Sequence, residues 1–89
     1  MRELYRGRND LSNQVGRPAT CEYGILVRTL ETPVCCESYG VSVTMIQTGE
    51  REEIPDITVL PERIEALVEL LMAGGVTPCT VREIIEDWL

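Results

Sequence analysis

Eighty-nine residues with 44% apolar content are enough for one domain with one core and exclude two. Charge is one-sided: fifteen acids stand against eight bases, every base is an arginine, and lysine, histidine and phenylalanine are absent. No run approaches the roughly 20 apolar residues a membrane helix needs, and the basic start is not followed by an apolar signal core, so the expected location is cytoplasmic.

The charge is also unevenly placed. Residues 1–18 hold Arg2, Arg6, Arg8 and Arg17 against Glu3 and Asp10, an excess of two positive charges. Residues 50–89 hold ten acids against Arg51, Arg63 and Arg82, an excess of seven negative charges. Phosphate binding needs clustered positive charge, so this half excludes direct nucleic-acid binding and fits a basic partner; the bland alternative is that the acids keep a small domain soluble. Cys21, Cys35, Cys36 and Cys79 form no C-x-x-C pair, and without a secretory signal free thiols are expected. With no histidine, zinc would need all four thiolates or added carboxylates, so no metal and no cofactor is expected.

In chain order, residues 1–18 have no sustained period and are rich in Arg, Asn, Gly and Ser. They read as a flexible or partly docked arm, with Leu4, Tyr5, Leu11 and Val15 as its anchors. Residues 19–89 read as a single α+β domain. Cys21, Tyr23, Ile25 and Val27 fall on one side of a strand over about 20–30, and Tyr39, Val41, Val43 and Met45 on one side of a strand over about 35–47. Cys35 and Cys36 then point to opposite faces. A loop of Thr32-Pro33-Val34 pairs Val27 with Tyr39, Ile25 with Val41, Tyr23 with Val43 and Cys21 with Met45. A loop one residue shorter would set apolar against polar residues, because a one-residue slip flips every side chain. Thr48-Gly49 is expected as a tight hairpin into a strand over about 50–54, pairing Met45 with Glu52 and Val43 with Ile54.

Pro61 suits a first helical position, where its missing N–H costs nothing. Ile64, Leu67, Val68, Leu71 and Met72 follow helical spacing, and Gly74-Gly75 end a helix over about 61–73. Thr77 is the expected N-cap of a second helix over about 78–88, with Val76 stapling onto Val81 and Ile84, Ile85 and Trp88 continuing its stripe. The expected fold is a three-stranded antiparallel β-meander covered on one face by a C-terminal helical hairpin, in two layers. The opposite sheet face carries Leu26, Leu30 and Ile46 among Arg28, Ser38, Ser42 and Thr44. Either the N-terminal arm covers it or it is an interface with a second copy or a partner.

The C-terminal half resembles an uncharacterised family of small clostridial proteins, a domain of unknown function. That family's pattern runs Asp-Ile-Ser, a helix of the form Val-x-x-Leu-Val-Glu-Leu, then Ser-Pro-x-His-Leu and Asp-Val-Ile-Glu-Asp-Phe-Leu. The corresponding residues are Asp56-Ile57-Thr58, Ile64-Glu65-Ala66-Leu67-Val68-Glu69-Leu70, Thr77-Pro78-Cys79-Thr80-Val81 and Glu83-Ile84-Ile85-Glu86-Asp87-Trp88-Leu89. Tyr39-Gly40-Val41 is similar to an upstream Tyr-Gly-Ile, so the resemblance covers roughly residues 39–89. Leu60 stands where the family has a capping Asp, leaving Pro61 to set the helix start, and Thr80 stands where it has a His. The resemblance implies a fold and no activity.

Nothing in the chain assembles a catalytic set. Glu52, Glu53 and Asp56 lie near a strand end and Glu86-Asp87 on a helix, all in acidic, solvated runs, whereas acid–base work needs a cleft that separates two pKa values. The usual neutral-pH bases and Schiff-base nucleophiles are missing, and a cysteine nucleophile would lack an imidazole. The chain therefore reads as a non-enzymatic protein-interaction or regulatory module that binds a protein partner or itself. Leu26, Leu30, Ile46 and Tyr5 are its candidate apolar interface. The alternative is a phage-borne acidic inhibitor of a nucleic-acid-binding enzyme, of anti-CRISPR or anti-restriction type. Its acids would occupy an Arg/Lys groove that normally holds phosphates. Glu62, Glu65 and Glu69 form one helical stripe for it, Glu83, Glu86 and Asp87 a second patch, and Glu50, Glu52, Glu53 and Asp56 a third. The plain alternative for these rows is the solvated outer face of two ordinary helices. Thiol sensing through Cys35-Cys36 ranks last, since strand cysteines usually serve as packing.

Overall fold

The computed structural model describes residues 1–12, 16–31 and 36–89. Strands β1 (Arg2–Asp10), β2 (Thr20–Leu30), β3 (Cys36–Met45) and β4 (Arg51–Thr58) form one antiparallel sheet in the order β1-β2-β3-β4. Helices α1 (Pro61–Gly74) and α2 (Val81–Trp88) follow. The class is α+β, as the alternating and helical periods require, but the sheet has four strands where the sequence pointed to three.

The fourth strand is the N-terminal segment. Residues 2–10, expected as an arm, run antiparallel to β2 and do not lie over the sheet. Their register places Leu4 opposite Ile25 and Asn9 opposite Cys21, and it shifts between Tyr5 and Gly7, leaving Arg6 as a bulge. A bulge re-aims the side chain it carries. Here it turns Arg6 to the helix side, where its guanidinium meets Glu65 of α1 at 2.7 Å. Leu11, just beyond the strand, is fully buried and anchors the segment in the core; of the other expected anchors, Leu4 and Tyr5 are exposed on β1 and Val15 lies outside the described residues.

Between β2 and β3 the pairs are Cys21–Met45, Tyr23–Val43, Ile25–Val41 and Val27–Tyr39, the register that keeps both apolar rows on one face. The connecting Thr32-Pro33-Val34, and Cys35 with it, lie outside the described residues. Between β3 and β4 the register differs from the expected one by two residues: Val43 faces Glu52 and Val41 faces Ile54. The turn is wider than Thr48-Gly49, with Gly49 N–H donating to Met45 O and Met45 N–H to Glu50 O, so residues 46–49 form a four-residue loop. Gly49 supplies the left-handed backbone (φ 76°) that this loop needs. β4 also continues past residue 54. Its pairing shifts between Tyr39 and Val41, where Pro55-Asp56-Ile57 bulge outward and Asp56 takes φ 58°. Gly40 admits this bulge, because a Cβ there would overlap the Ile54 carbonyl oxygen.

Helix α1 packs across all four strands. Ile64, Leu67, Val68 and Leu71 are its buried row, against Cys21, Tyr23, Ile25, Val27, Val41 and Val43 from the sheet. Each such side chain contributes on the order of 1.5–3 kcal/mol by leaving water. Pro61 occupies the first turn and Leu60, in extended conformation, makes no side-chain cap. At the other end Gly75 takes φ 61°, its N–H reaching Met72 O while Val76 N–H reaches Leu71 O. The Asn9 amide donates to the same Met72 carbonyl at 2.6 Å, so β1 helps close the helix it lies beside. α2 begins at Val81, three residues later than expected. Thr77 O accepts from both Thr80 N and Val81 N, and residues 77–80 form a turn leading into the helix. The Thr77 hydroxyl contacts the Cys79 thiol and the Thr80 hydroxyl, not a backbone N–H. The hairpin is fastened where Arg63 of α1 stacks on Trp88 of α2, 4.5 Å from the ring centre.

Candidate functional site

Two surfaces carry polar chemistry: the sheet face turned away from the helices, and the outer sides of the helices. On the sheet face, Glu3 projects from β1 beside Gly24 of β2. A Cβ at Gly24 would sit 2.8 Å from Ser42 Oγ and 2.9 Å from Glu3 Oε2. Glycine there lets Glu3 cross β2, and its carboxylate accepts from the buried Ser42 hydroxyl of β3 and from Arg51 Nη2 of β4 at 2.8 Å. Arg51 also donates to Glu53 Oε2 at 2.8 Å and to Thr44 Oγ1 at 2.9 Å. One arginine thus joins β1, β3 and β4. Desolvation pushes the Glu3 carboxyl up, but the hydrogen bonds from Ser42 and Arg51 and the Arg51 charge outweigh it, and the net shift is downward. The Arg51 pKa is raised by the hydrogen bonds it donates to Glu3 and Glu53. Beside this network lies a surface pit of about 240 Å³, lined by Glu3, Tyr5, Glu22, Gly24, Thr44 and Arg51 among others.

The structure does not gather the candidate apolar interface into one patch. Leu26 is only 3% exposed. It faces Gly40, and the Ile54–Pro55 backbone folds against that glycine. Leu30 is half-buried at the end of β2 paired with Cys36, whereas Ile46 is bonded through its N–H to Thr20 at the other end. Ten residues of strand separate those ends, about 33 Å. Ile46 and Tyr5 are exposed.

Some of the candidate acids are already neutralised. Glu65 pairs with Arg6, Glu53 with Arg51 and, at 3.3 Å, Glu52 with Arg82. The stripe Glu62–Glu65–Glu69 is therefore interrupted at its centre by an arginine from β1. Among the described residues, Glu62 and Glu69 on α1 and Glu83, Glu86 and Asp87 on α2 make no ion pair, and all five are exposed. Asp56 is held by Arg28. Among the described residues there is no group of three His, Cys, Asp or Glu side chains placed to hold a metal ion. Cys21 is buried and burial pushes its thiol up, while Cys36 and Cys79 are exposed free thiols; Cys35 lies outside the described residues.

Sequence reasoning missed the Glu3–Ser42–Arg51 network because it placed Glu3 on an arm. Only Gly24, a glycine inside a strand pattern, hinted that another group approaches closely there.

A four-stranded meander with a helical hairpin on one face, a tied polar network on the other and exposed acids on α2 defines a small acidic α+β protein. Residues 2–89 match the profile of a family of unknown function, DUF6514, and the chain belongs to that family. Neither the curated proteins nor the solved structures contain a significant match. No described helix is long and apolar enough to cross a membrane.

Proposed function

We propose that the chain is a non-enzymatic protein-interaction or regulatory module that works in the cytoplasm of a bacterium, of clostridial type, or of its phage. The observation that carries this reading is the set of exposed, unpaired acids on the helices. Glu83, Glu86 and Asp87 crowd the outer side of an eight-residue helix, and Glu62 and Glu69 flank the Arg6–Glu65 pair on α1. Exposed like charges with no intramolecular partner repel one another and cost stability, whereas a basic partner relieves that repulsion. Self-association through Leu26, Leu30 and Ile46 is the weaker form of the reading, because Leu26 is buried and Leu30 and Ile46 lie at opposite ends of the sheet.

The inhibitor reading, in which acids stand in for phosphates, is supported by the same five residues and weakened by Arg6, Arg51 and Arg82, which break the rows that a phosphate-like ladder would need.

The test is capture on the immobilised chain from its source cells, at low and high salt, against the variant Glu62→Arg, Glu69→Arg, Glu83→Arg, Glu86→Arg. Salt-sensitive capture of one protein that the variant loses supports the module, and identification of that protein as a nuclease supports inhibition. Equal capture by both proteins at both salt concentrations overturns the acidic surface.

A further inference from the structure

We infer that the pit over Gly24 on the helix-free sheet face is a binding site for a cationic head group, an ammonium or guanidinium, borne by a basic side chain or by a small free amine. It is built from all four strands: Glu3 and Tyr5 from β1, Glu22 and Gly24 from β2, Ser42 and Thr44 from β3, and Arg51 from β4. Its volume, about 240 Å³, leaves room for the end of a long side chain.

Hydrogen-bonding capacity decides the ligand's sign. Arg51 is the one cation among the lining residues; three of its five N–H donors go to Glu3, Glu53 and Thr44, and the two carboxylates among these partners offset its charge in place. The side chain of Glu22, half-buried on the lining, makes no hydrogen bond or ion pair among the described residues. Its ladder neighbour Arg8 makes no ion pair with it. Glu3, Glu22 and Arg51 together leave the lining one negative charge in excess, which repels an anion and attracts a cation. Tyr5 stands directly opposite Gly24 in the β1–β2 ladder and is 60% exposed. With no side chain opposite, Tyr5 lines the open side of the pit that Glu3 and Glu22 also line, and an aromatic ring and carboxylates on one lining favour an ammonium or guanidinium. Gly24 keeps the floor clear, since any Cβ would enter the space between Glu3 and Ser42.

The site is separate from the helix acids of the proposed function, and the two can fail independently. The test is an amide-resolved NMR titration of the full chain with agmatine, with an acetyl- and amide-capped Gly-Arg-Gly peptide, and with acetate as the anionic control. Saturable shifts at Tyr5, Glu22, Gly24 and Thr44 with either cation, and none with acetate, are expected. Tighter binding of the peptide than of agmatine assigns a protein side chain, and the reverse assigns a free amine. Glu22→Gln and Tyr5→Ala should each weaken binding about tenfold, and both are surface changes whose folding is checked in the same spectra. Glu83→Arg with Glu86→Arg should leave these shifts intact. Absence of saturable shifts in the pit at millimolar cation, or shifts indifferent to Glu22→Gln, overturns the site.

Discussion

Arg28 of β2 holds Asp56 of β4 through two parallel hydrogen bonds, Nε to Oδ1 at 3.0 Å and Nη2 to Oδ2 at 2.7 Å. The pair spans the intervening strand β3 and secures the outward bulge of β4. Asp56 is the one non-glycine residue with positive φ among those described. Aspartate tolerates that conformation better than most side chains, while alanine pays about 1–2 kcal/mol for it. Asp56→Ala should therefore destabilise by about 1–2 kcal/mol. Asp56→Gly should cost less than about 1 kcal/mol, losing only a half-exposed ion pair. Urea unfolding ranks the two variants, and an alanine variant as stable as the glycine one would contradict the backbone argument.

Gly40→Ala should be more damaging than either. Its methyl group would overlap the Ile54 carbonyl oxygen and press on Pro55, both backbone. Backbone cannot rotate away as a side-chain tip can, so a loss of about 2–3 kcal/mol is expected, at the upper end of overpacking costs. Gly49→Ala has open space around it and pays only for its left-handed backbone, about 1 kcal/mol. Midpoints of thermal unfolding that fall in the opposite order would place the β4 bulge elsewhere.

The Tyr23 hydroxyl is buried and donates to Val76 O at 2.8 Å, tying β2 to the link between the helices. Tyr23→Phe leaves that carbonyl without a partner and should cost about 1–3 kcal/mol. The same burial drives the Tyr23 pKa well above its ordinary value of 10.0. A raised acid binds its proton more tightly when folded, so its contribution is whole below about pH 10 and is lost as pH rises beyond that. The wild type should lose stability on the alkaline side more steeply than Tyr23→Phe, as chemical unfolding at pH 9 and pH 11 would show.

Glu3 works in the opposite direction. Its pKa lies below the ordinary 4.5, since the bonds from Ser42 and Arg51 outweigh desolvation. Stabilisation from it is present above that ordinary value and is lost as pH falls through the depressed one. Glu3→Gln should flatten the acid limb of the stability profile below about pH 4.5. An acid limb unchanged by the substitution would remove Glu3 from the account.

What the sequence revealed, and what it hid, follows from how each strand is held. Cys21 to Val27 and Tyr39 to Met45 alternate cleanly, and burial allows them one register, which the structure has. The β3–β4 register is displaced by two residues, and a shift of two keeps every side chain on its own face, so the apolar pattern cannot distinguish the two pairings. Turn geometry decides there. The inward-facing positions of β1 are Arg2, Leu4, Arg6, Gly7 and Asn9, with Leu4 the one large apolar side chain, and the bulge at Arg6 breaks the period. Such a strand is held by its ladder, by ion pairs to Glu37 and Glu65 and by Asn9 on Met72, and none of these leaves a hydrophobic trace. The sheet-face site was illegible for the same reason, because it begins with Glu3. Leu26 was placed on a face left open between cover and interface, and its 3% exposure has no local signal, since nothing near it announces that the Ile54–Pro55 backbone lies against Gly40 opposite.

The strand order β1-β2-β3-β4 has a kinetic consequence. Every ladder joins strands adjacent in the chain, so no pairing must wait for a distant segment to arrive, and the loop-closure entropy of each step is small. Hairpins of this kind form in roughly 1–10 μs, and the sheet can zip outward from β2–β3, the pair with the richest apolar row. Closure of the apolar face then depends on a later event, the arrival of α1, with Val81 and Ile85 of α2 behind it, on strands already aligned to receive them. Stopped-flow folding should accordingly be fast for a protein with this much sheet, with Leu67 and Leu71 reporting the step that completes it.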